Sequence, residues 1–337
     1  VSSSPSLAQP AYTTQFMQII ASAVTGISSS NYPQPNGYQV YVGSSGTTVD
    51  QTTNVKISSY SDQISNGNET TSITFTATFS NSNAYQFNQV TFYTQVNGSN
   101  YINVANFIFT SAVSKPQGYI LVLSITFSIT TPVQYLDPVY DLLNAGCGSV
   151  SYNIELNFFP FSIFNLVFIY LLGITVSYLQ SLPNVQQDAQ QYINCGNSCQ
   201  QDYCQNPKTT TQCHQCLYNC NQYLSSNPIA IYVVANNISS LTQILPQGLG
   251  SIVMVNECAG YEGSSSPQNV STQFSTPSQS QVEYIITFSV SGATGSYNSL
   301  IINASTSTGI YYALGTLNFN QTISSGATFT LTITLSQ

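Results

Sequence analysis

The feature that most constrains this chain is a pattern of alternation that occurs twice. In TSITFTATFS, Ile73, Phe75, Ala77 and Phe79 alternate with polar residues; in QVEYIITFSV, Val282, Tyr284, Ile286 and Phe288 do the same. Val90 and Phe92 are answered by Leu300 and Ile302, Tyr101 by Tyr311, and Phe107 and Phe109 by Leu317 and Phe319. Leu121, Leu123, Ile125 and Phe127 are answered by Phe329, Leu331, Ile333 and Leu335. The offset stays between 208 and 210 residues throughout, which unrelated strand patterns would not maintain.

A period of two places the apolar side chains on one face of a half-buried strand, and Gly, Asn and Ser clusters between the runs supply the turns. Several short strands of this kind predict β-sandwiches. The expected fold is mainly β: two related β-sandwich domains over 36–145 and 228–337, joined over 146–227 by an apolar segment and a cysteine-rich helical hairpin. An N-terminal segment, 1–35, precedes them. Its opening, VSSSPSLAQP, reads as a processed terminus, and AYTTQFMQIIASAVTGI is expected either to pair with a neighbour's sheet edge or to pack on its own domain.

Charge narrows the setting. Only 4% of the residues are charged, against roughly 25% in an ordinary soluble domain. There are three lysines, Lys56, Lys115 and Lys208, and no arginine. A surface of neutral hydrogen-bonding groups does not change with pH, whereas stabilising carboxylates fail in acid and dense bases repel one another. Such a chain suits an acidic exterior. Phosphate backbones find almost no cations here, which excludes nucleic acid as a partner. Asn-x-Ser/Thr sequons at Asn68, Asn97, Asn237, Asn269, Asn303 and Asn320 mark candidate N-glycosylation sites.

Within the insert, Phe158–Leu179 is almost continuously apolar and long enough to span a bilayer, although Pro160 and Gly173 interrupt it and Asn165 sits inside. A single crossing would separate the two sandwiches, with sequons on both sides, and no Lys or Arg cluster sets an orientation. The expected role is a buried element; membrane contact is the alternative.

CGNSCQQDYCQNPKTTTQCHQCLYNC, Cys195–Cys220, holds six of the eight cysteines and the only histidine, His214. Haem attachment needs the histidine after Cys-x-x-Cys, not inside it as in Cys213-His214-Gln215-Cys216. A zinc site would need a second Cys-x-x-Cys and deprotonated thiols. Read as helices, Cys195 and Cys199 share one face, as do Cys216 and Cys220, and Asn206-Pro207 supplies a turn. Folding the two runs back on each other sets Cys195 against Cys220, Cys199 against Cys216, and Cys204 against Cys213 nearest the turn. Six cysteines allow 15 pairings, of which this nested one suits the helical spacing. Cys147 and Cys258 flank the insert, and a bond between them would tie its two ends together. The segment resembles the twin Cys-x-x-x-Cys hairpins of small disulfide-stabilised proteins over 195–220, a resemblance that implies a staple and no activity.

No phosphate loop, zincin motif or Gly-x-Ser-x-Gly elbow is present. Asp137 and Asp141, four apart, and Glu257 and Glu262, flanking Cys258, are the remaining candidates for acid–base work, but no motif marks them and turn or capping roles account for them better. Neutral polar surfaces, Tyr- and Thr-rich strands, sequons and cysteine pairs together resemble exported proteins of thermoacidophilic archaea and their viruses. That resemblance implies a non-enzymatic structural or adhesive protein without cofactor, located outside the cell. It would be a subunit of a surface filament or layer, or of a virion, whose partners are its own copies or other surface subunits. A secreted acid hydrolase using carboxylates, or a membrane-associated spike subunit, is the alternative. If all eight cysteines are paired, the intact mass of the freshly isolated, unreduced protein lies one hydrogen per cysteine below the reduced mass. Alkylation without reductant should add nothing, and a thiol-reactive sample with bound zinc would overturn the staple.

Overall fold

The computed structural model describes residues 11–27, 34–44, 46–96, 100–133, 160–204, 211–250, 252–256, 260–290, 295–307, 311–324 and 326–336. The first strand set comprises β1 (Ala11–Tyr12), β2 (Gly37–Ser44), β3 (Thr47–Thr52), β4 (Val55–Ser65), β5 (Asn68–Phe79), β6 (Tyr85–Val96), β7 (Asn100–Lys115) and β8 (Leu121–Pro132). One sheet runs β1-β7-β6-β2-β3 and the other β4-β5-β8, all antiparallel. The alternating residues meet between the sheets. Phe75 of β5 lies 4.9 Å from Phe92 of β6, centroid to centroid, and Phe92 lies 4.8 Å from Phe127 of β8. All three rings are fully buried.

The second strand set comprises β9 (Pro246–Leu249), β10 (Ile252–Asn256), β11 (Gly260–Ser265), β12 (Pro267–Ser278), β13 (Gln281–Val290), β14 (Gly295–Thr306), β15 (Tyr311–Ile323) and β16 (Thr328–Ser336). Its sheets run β11-β10-β14-β15, with β9 on β14, and β12-β13-β16. The register repeats that of the first set. Ile73↔Phe127 and Phe75↔Ile125 correspond to Val282↔Leu335 and Tyr284↔Ile333. Val90↔Phe107 corresponds to Leu300↔Leu317. The irregularities recur as well: register shifts after Phe87 and Phe92 in β6 reappear after Tyr297 and Ile302 in β14. A bulge kinks a strand in a position-specific way, so its recurrence is stronger than shared alternation.

Helices lie between the two sets: α1 (Thr14–Ala23), α2 (Ile163–Leu171), α3 (Val176–Gln180), α4 (Val185–Asp202), α5 (Thr211–Cys220) and α6 (Pro228–Ala235). The N-terminal segment packs within the chain. β1 pairs with β7, and α1 packs on β7, α2, β13 and β16. Its Phe16, Met17, Ile20, Ala21 and Val24 are all buried, so the helix joins the two strand sets through one core. Thr13 caps it by accepting from the Phe16 N–H.

The described part of the apolar run is a broken helical hairpin inside the fold. In α2, Leu166, Val167, Phe168 and Ile169 are buried on every side, and no helix among the described residues is long and apolar enough to cross a membrane. Pro228–Ala235, expected in the second sandwich, is instead a helix packed on α3, α4 and β4. Its run IAIYVVA is β-branched, but Pro228 in the first turn starts a helix, and burial of nearly every side chain outweighs the propensity of Ile and Val.

Gly173 ends α2 in a left-handed turn at φ +82°. Its N–H bonds the Tyr170 carbonyl and the Ile174 N–H bonds Ile169, which satisfies the last carbonyls of the helix. A Cβ at this position would meet the Tyr38 hydroxyl at 2.5 Å, and that hydroxyl is held by the Leu172 carbonyl at 2.9 Å. Gly173→Ala is therefore expected to lower stability by about 1–3 kcal/mol, read as a drop in the urea midpoint at unchanged slope. An unchanged midpoint would contradict this account of the break.

Candidate functional site

Three places carry chemistry: the cysteine hairpin, a buried carboxyl pair and a tyrosine-lined face. In the hairpin, Val185, Ala189 and Cys199 form the buried stripe of a Gln-rich helix. The structure joins Cys195 to Cys220, Cys199 to Cys216 and Cys204 to Cys213, with Cα separations of 5.7, 5.6 and 4.9 Å. The sulfurs of Cys195, Cys199 and Cys220 lie within 4.8 Å of one another. They cluster because two disulfides are adjacent, and a disulfide sulfur offers a metal no thiolate. Each such bond contributes about 2–4 kcal/mol to a helix pair with little apolar surface. Cys147 and Cys258 lie outside the described residues, as do Asp137, Asp141 and Glu257 and the side chains of Glu262 and His214.

The carboxyl pair was not singled out from sequence. Along β5 the inward row Phe79, Ala77, Phe75, Ile73 continues as Thr71 and Glu69, and Asp62 of β4 pairs across from Thr71. Asp62 and Glu69 are both fully buried. Asp62 accepts from the Thr71 hydroxyl at 2.7 Å and from the Tyr60 hydroxyl at 3.3 Å. Its backbone carbonyl takes the Asn227 N–H at 2.6 Å, just before α6. Glu69 accepts from the Ser162 N–H, just before α2. Asn165, the polar residue inside the apolar run, donates to the Thr71 hydroxyl at 2.8 Å and the Glu69 carbonyl at 3.2 Å. Two helix N-termini thus converge on two carboxyls, a favourable placement for negative charge.

Burial pushes Asp62 up to about 6, against the lowering effect of its hydrogen bonds. Burial, then the neighbouring Asp62 charge, holds Glu69 well above the usual carboxylate range. The second Glu69 oxygen is buried and meets no donor among the described residues, so burial disfavours its charged form. The pair resembles an acid–base dyad in composition but is buried beneath the starts of α2 and α6, whose N–H groups it accepts.

The third place is open. Tyr41 of β2, Tyr93 of β6 and Tyr101 of β7 stand in a row on the outer face of the five-stranded sheet, with centroids 5.2 and 6.4 Å apart and rings nearly perpendicular. They line a concavity of about 400 Å³ together with Gln89, Thr91, Asn103, Asn106 and the β2–β3 turn around Gly46. Gln89 donates to Thr91 at 3.4 Å and Thr91 to Asn106 at 2.9 Å. The Asn103 side-chain oxygen is buried and has no donor. Thr13, the α1 cap, bonds the Asn103 and Val104 carbonyls and pins the bulge that presents it.

The candidate glycan acceptors differ in access. Asn68, Asn237 and Asn269 are exposed, whereas Asn303 is 1% exposed within β14, so a glycan there would have to be added before the strand packs. Asn97 and the side chain of Asn320 lie outside what the structure describes.

These features define a class: a β-rich, weakly charged protein of several antiparallel sheets with a disulfide-stapled helical segment, suited to an oxidising exterior. The chain is 44% identical, over its whole length and 98% of the relative's, to uncharacterized protein 54 of Sulfolobus islandicus filamentous virus (isolate Iceland/Hveragerdi). It belongs to the same family as that viral protein. No family model and no solved structure matches the chain.

The carboxyl pair makes a signed prediction. Both folded-state values are raised, so in weak acid the folded chain holds protons that the unfolded chain has released. The pair's stabilising contribution is complete below the ordinary Asp value of 3.8 and is lost as pH rises through about 6. The melting temperature is expected to be higher at pH 4 than at pH 7, and Glu69→Gln, neutral at both, should flatten the difference. Equal slopes for the two proteins would remove the pair as the cause.

Proposed function

We propose that the protein is a non-enzymatic structural or adhesive subunit at the surface of an archaeal virion, built from a duplicated β-sandwich module with a stapled helical spacer. The observation that carries this reading is the full-length relationship to a protein of a filamentous archaeal virus. The physics agrees with it. Scarce charge and three disulfides suit a hot or acidic exterior, and the carboxyl dock gains stability in acid. Partners are further copies or other virion subunits, with N-linked glycans at exposed sequons and no nucleic acid or cofactor.

The hydrolase reading needs carboxylates open to substrate. The acidic pair with raised pKa values is closed off, and the described outer-face concavity is lined by no carboxylate. The cell-surface filament reading shares every physical feature and differs only in what carries the protein. Immunogold labelling with an antibody against the folded chain should decorate the outside of purified particles from an infected acidophile culture. Label on filaments of uninfected cells would favour the cellular reading, and label confined to the cytoplasm would overturn both.

A further inference from the structure

We propose that the concavity on the outer face of β2, β6 and β7 binds a neutral hexopyranose glycan. The inference deepens the adhesive reading by naming its ligand class, and rests on it only for biological setting.

Three observations point to a sugar. The first is the tyrosine row. A pyranose presents an aliphatic C–H face that settles on the electron-rich face of an aromatic ring, and its rim of hydroxyls needs hydrogen-bonding neighbours. Tyr41, Tyr93 and Tyr101 supply the rings, and Gln89, Asn103 and Asn106 supply amides beside them. Second, the Asn103 acceptor is buried without a donor. An unmade buried hydrogen bond costs about 1–3 kcal/mol, so a small rotation of the Asn103 amide toward the concavity, where a ligand hydroxyl could donate to it, is favoured. Third, no Asp, Glu, Lys, Arg or His is among the described residues that line the concavity, so these offer no charge to a sulfate, a sialate or a phosphate.

The duplication shows that the fold does not dictate these residues. Thr91↔Asn106 and Tyr93↔Asn103 in the first set correspond to Ile301↔Thr316 and Asn303↔Ala313 in the second, with the same bulge between them. The second set keeps the backbone and lacks the Tyr93 ring and the Asn103 amide. The shared register does not dictate those two, whereas Tyr101 is answered by Tyr311.

The test is an array of neutral oligosaccharides (glucans, mannans and galactans of three to six units) with sulfated and sialylated counterparts, probed with the full disulfide-intact chain. Hits are then quantified by titration calorimetry. At least one neutral oligosaccharide should bind. Tyr101→Ala, at a residue already 41% exposed, should weaken it about five- to tenfold, and Asn103→Ala should act in the same direction. Val122→Ala, on the other sheet and 57% exposed, should leave affinity unchanged. Melting curves of all variants exclude misfolding, and if Asn103→Ala fails to fold, Tyr101→Ala and Tyr93→Phe carry the test. An array without neutral hits, a preference for the charged sugars, or full affinity in Tyr101→Ala would overturn the proposal. Binding by a protein missing from particles would sink the virion reading alone, and a virion protein with no sugar affinity would sink the glycan site alone.

Discussion

The burial of Glu69 and Asp62 at the end of an otherwise apolar row is the constraint around which the architecture closes. A strand that reads Phe79, Ala77, Phe75, Ile73 and then Thr71, Glu69 cannot end in an apolar core, because an isolated buried carboxylate is too costly. It ends where two helix N-termini supply N–H groups and where Asn165 and Thr131 complete the hydrogen bonding. The apolar helix α2 is therefore held on the sheet by polar bonds at its start and by dispersion along its length. Burial raises both carboxyls, which makes the pair a liability at neutral pH and an asset in acid.

The helical spacer solves a different problem. Its two halves, the buried α2–α3 hairpin and the polar α4–α5 hairpin, differ in what holds them. The first has Leu166, Phe168 and Leu172 in the main core. The second has few apolar residues and relies on three covalent rungs. Helix α1 completes the junction by threading Phe16 and Ile20 into the same core as Phe288 and Ile286, so the strand sets share a hydrophobic interior.

The two strand sets match in register and differ in residues. Where both copies need the pattern, at Phe75 and Tyr284 or Phe92 and Ile302, large apolar residues face inward in both. Beside the second bulge the sequences differ, with Tyr93 and Asn103 in the first set against a buried Asn303 and Ala313 in the second.

The alternation at Ile73–Phe79 and Val282–Phe288 determined by itself that these segments are strands with one buried face, since a period of two leaves no other packing. The four-residue cysteine spacings likewise restricted the hairpin to a few geometries, of which the nested pairing is the one observed. Tertiary structure decided the rest. Pro228–Ala235 reads like a strand and is a helix, because total burial rewards any element that satisfies its own backbone. Asn165 looked like an interruption of an apolar run and is its anchor. Asp62 and Glu69, ordinary turn-flanking acids in the sequence, became a coupled pair because strand register set them side by side and helices from 90 and more residues away sealed them from water. The tyrosine row, drawn from three strands, exists only once those strands lie side by side.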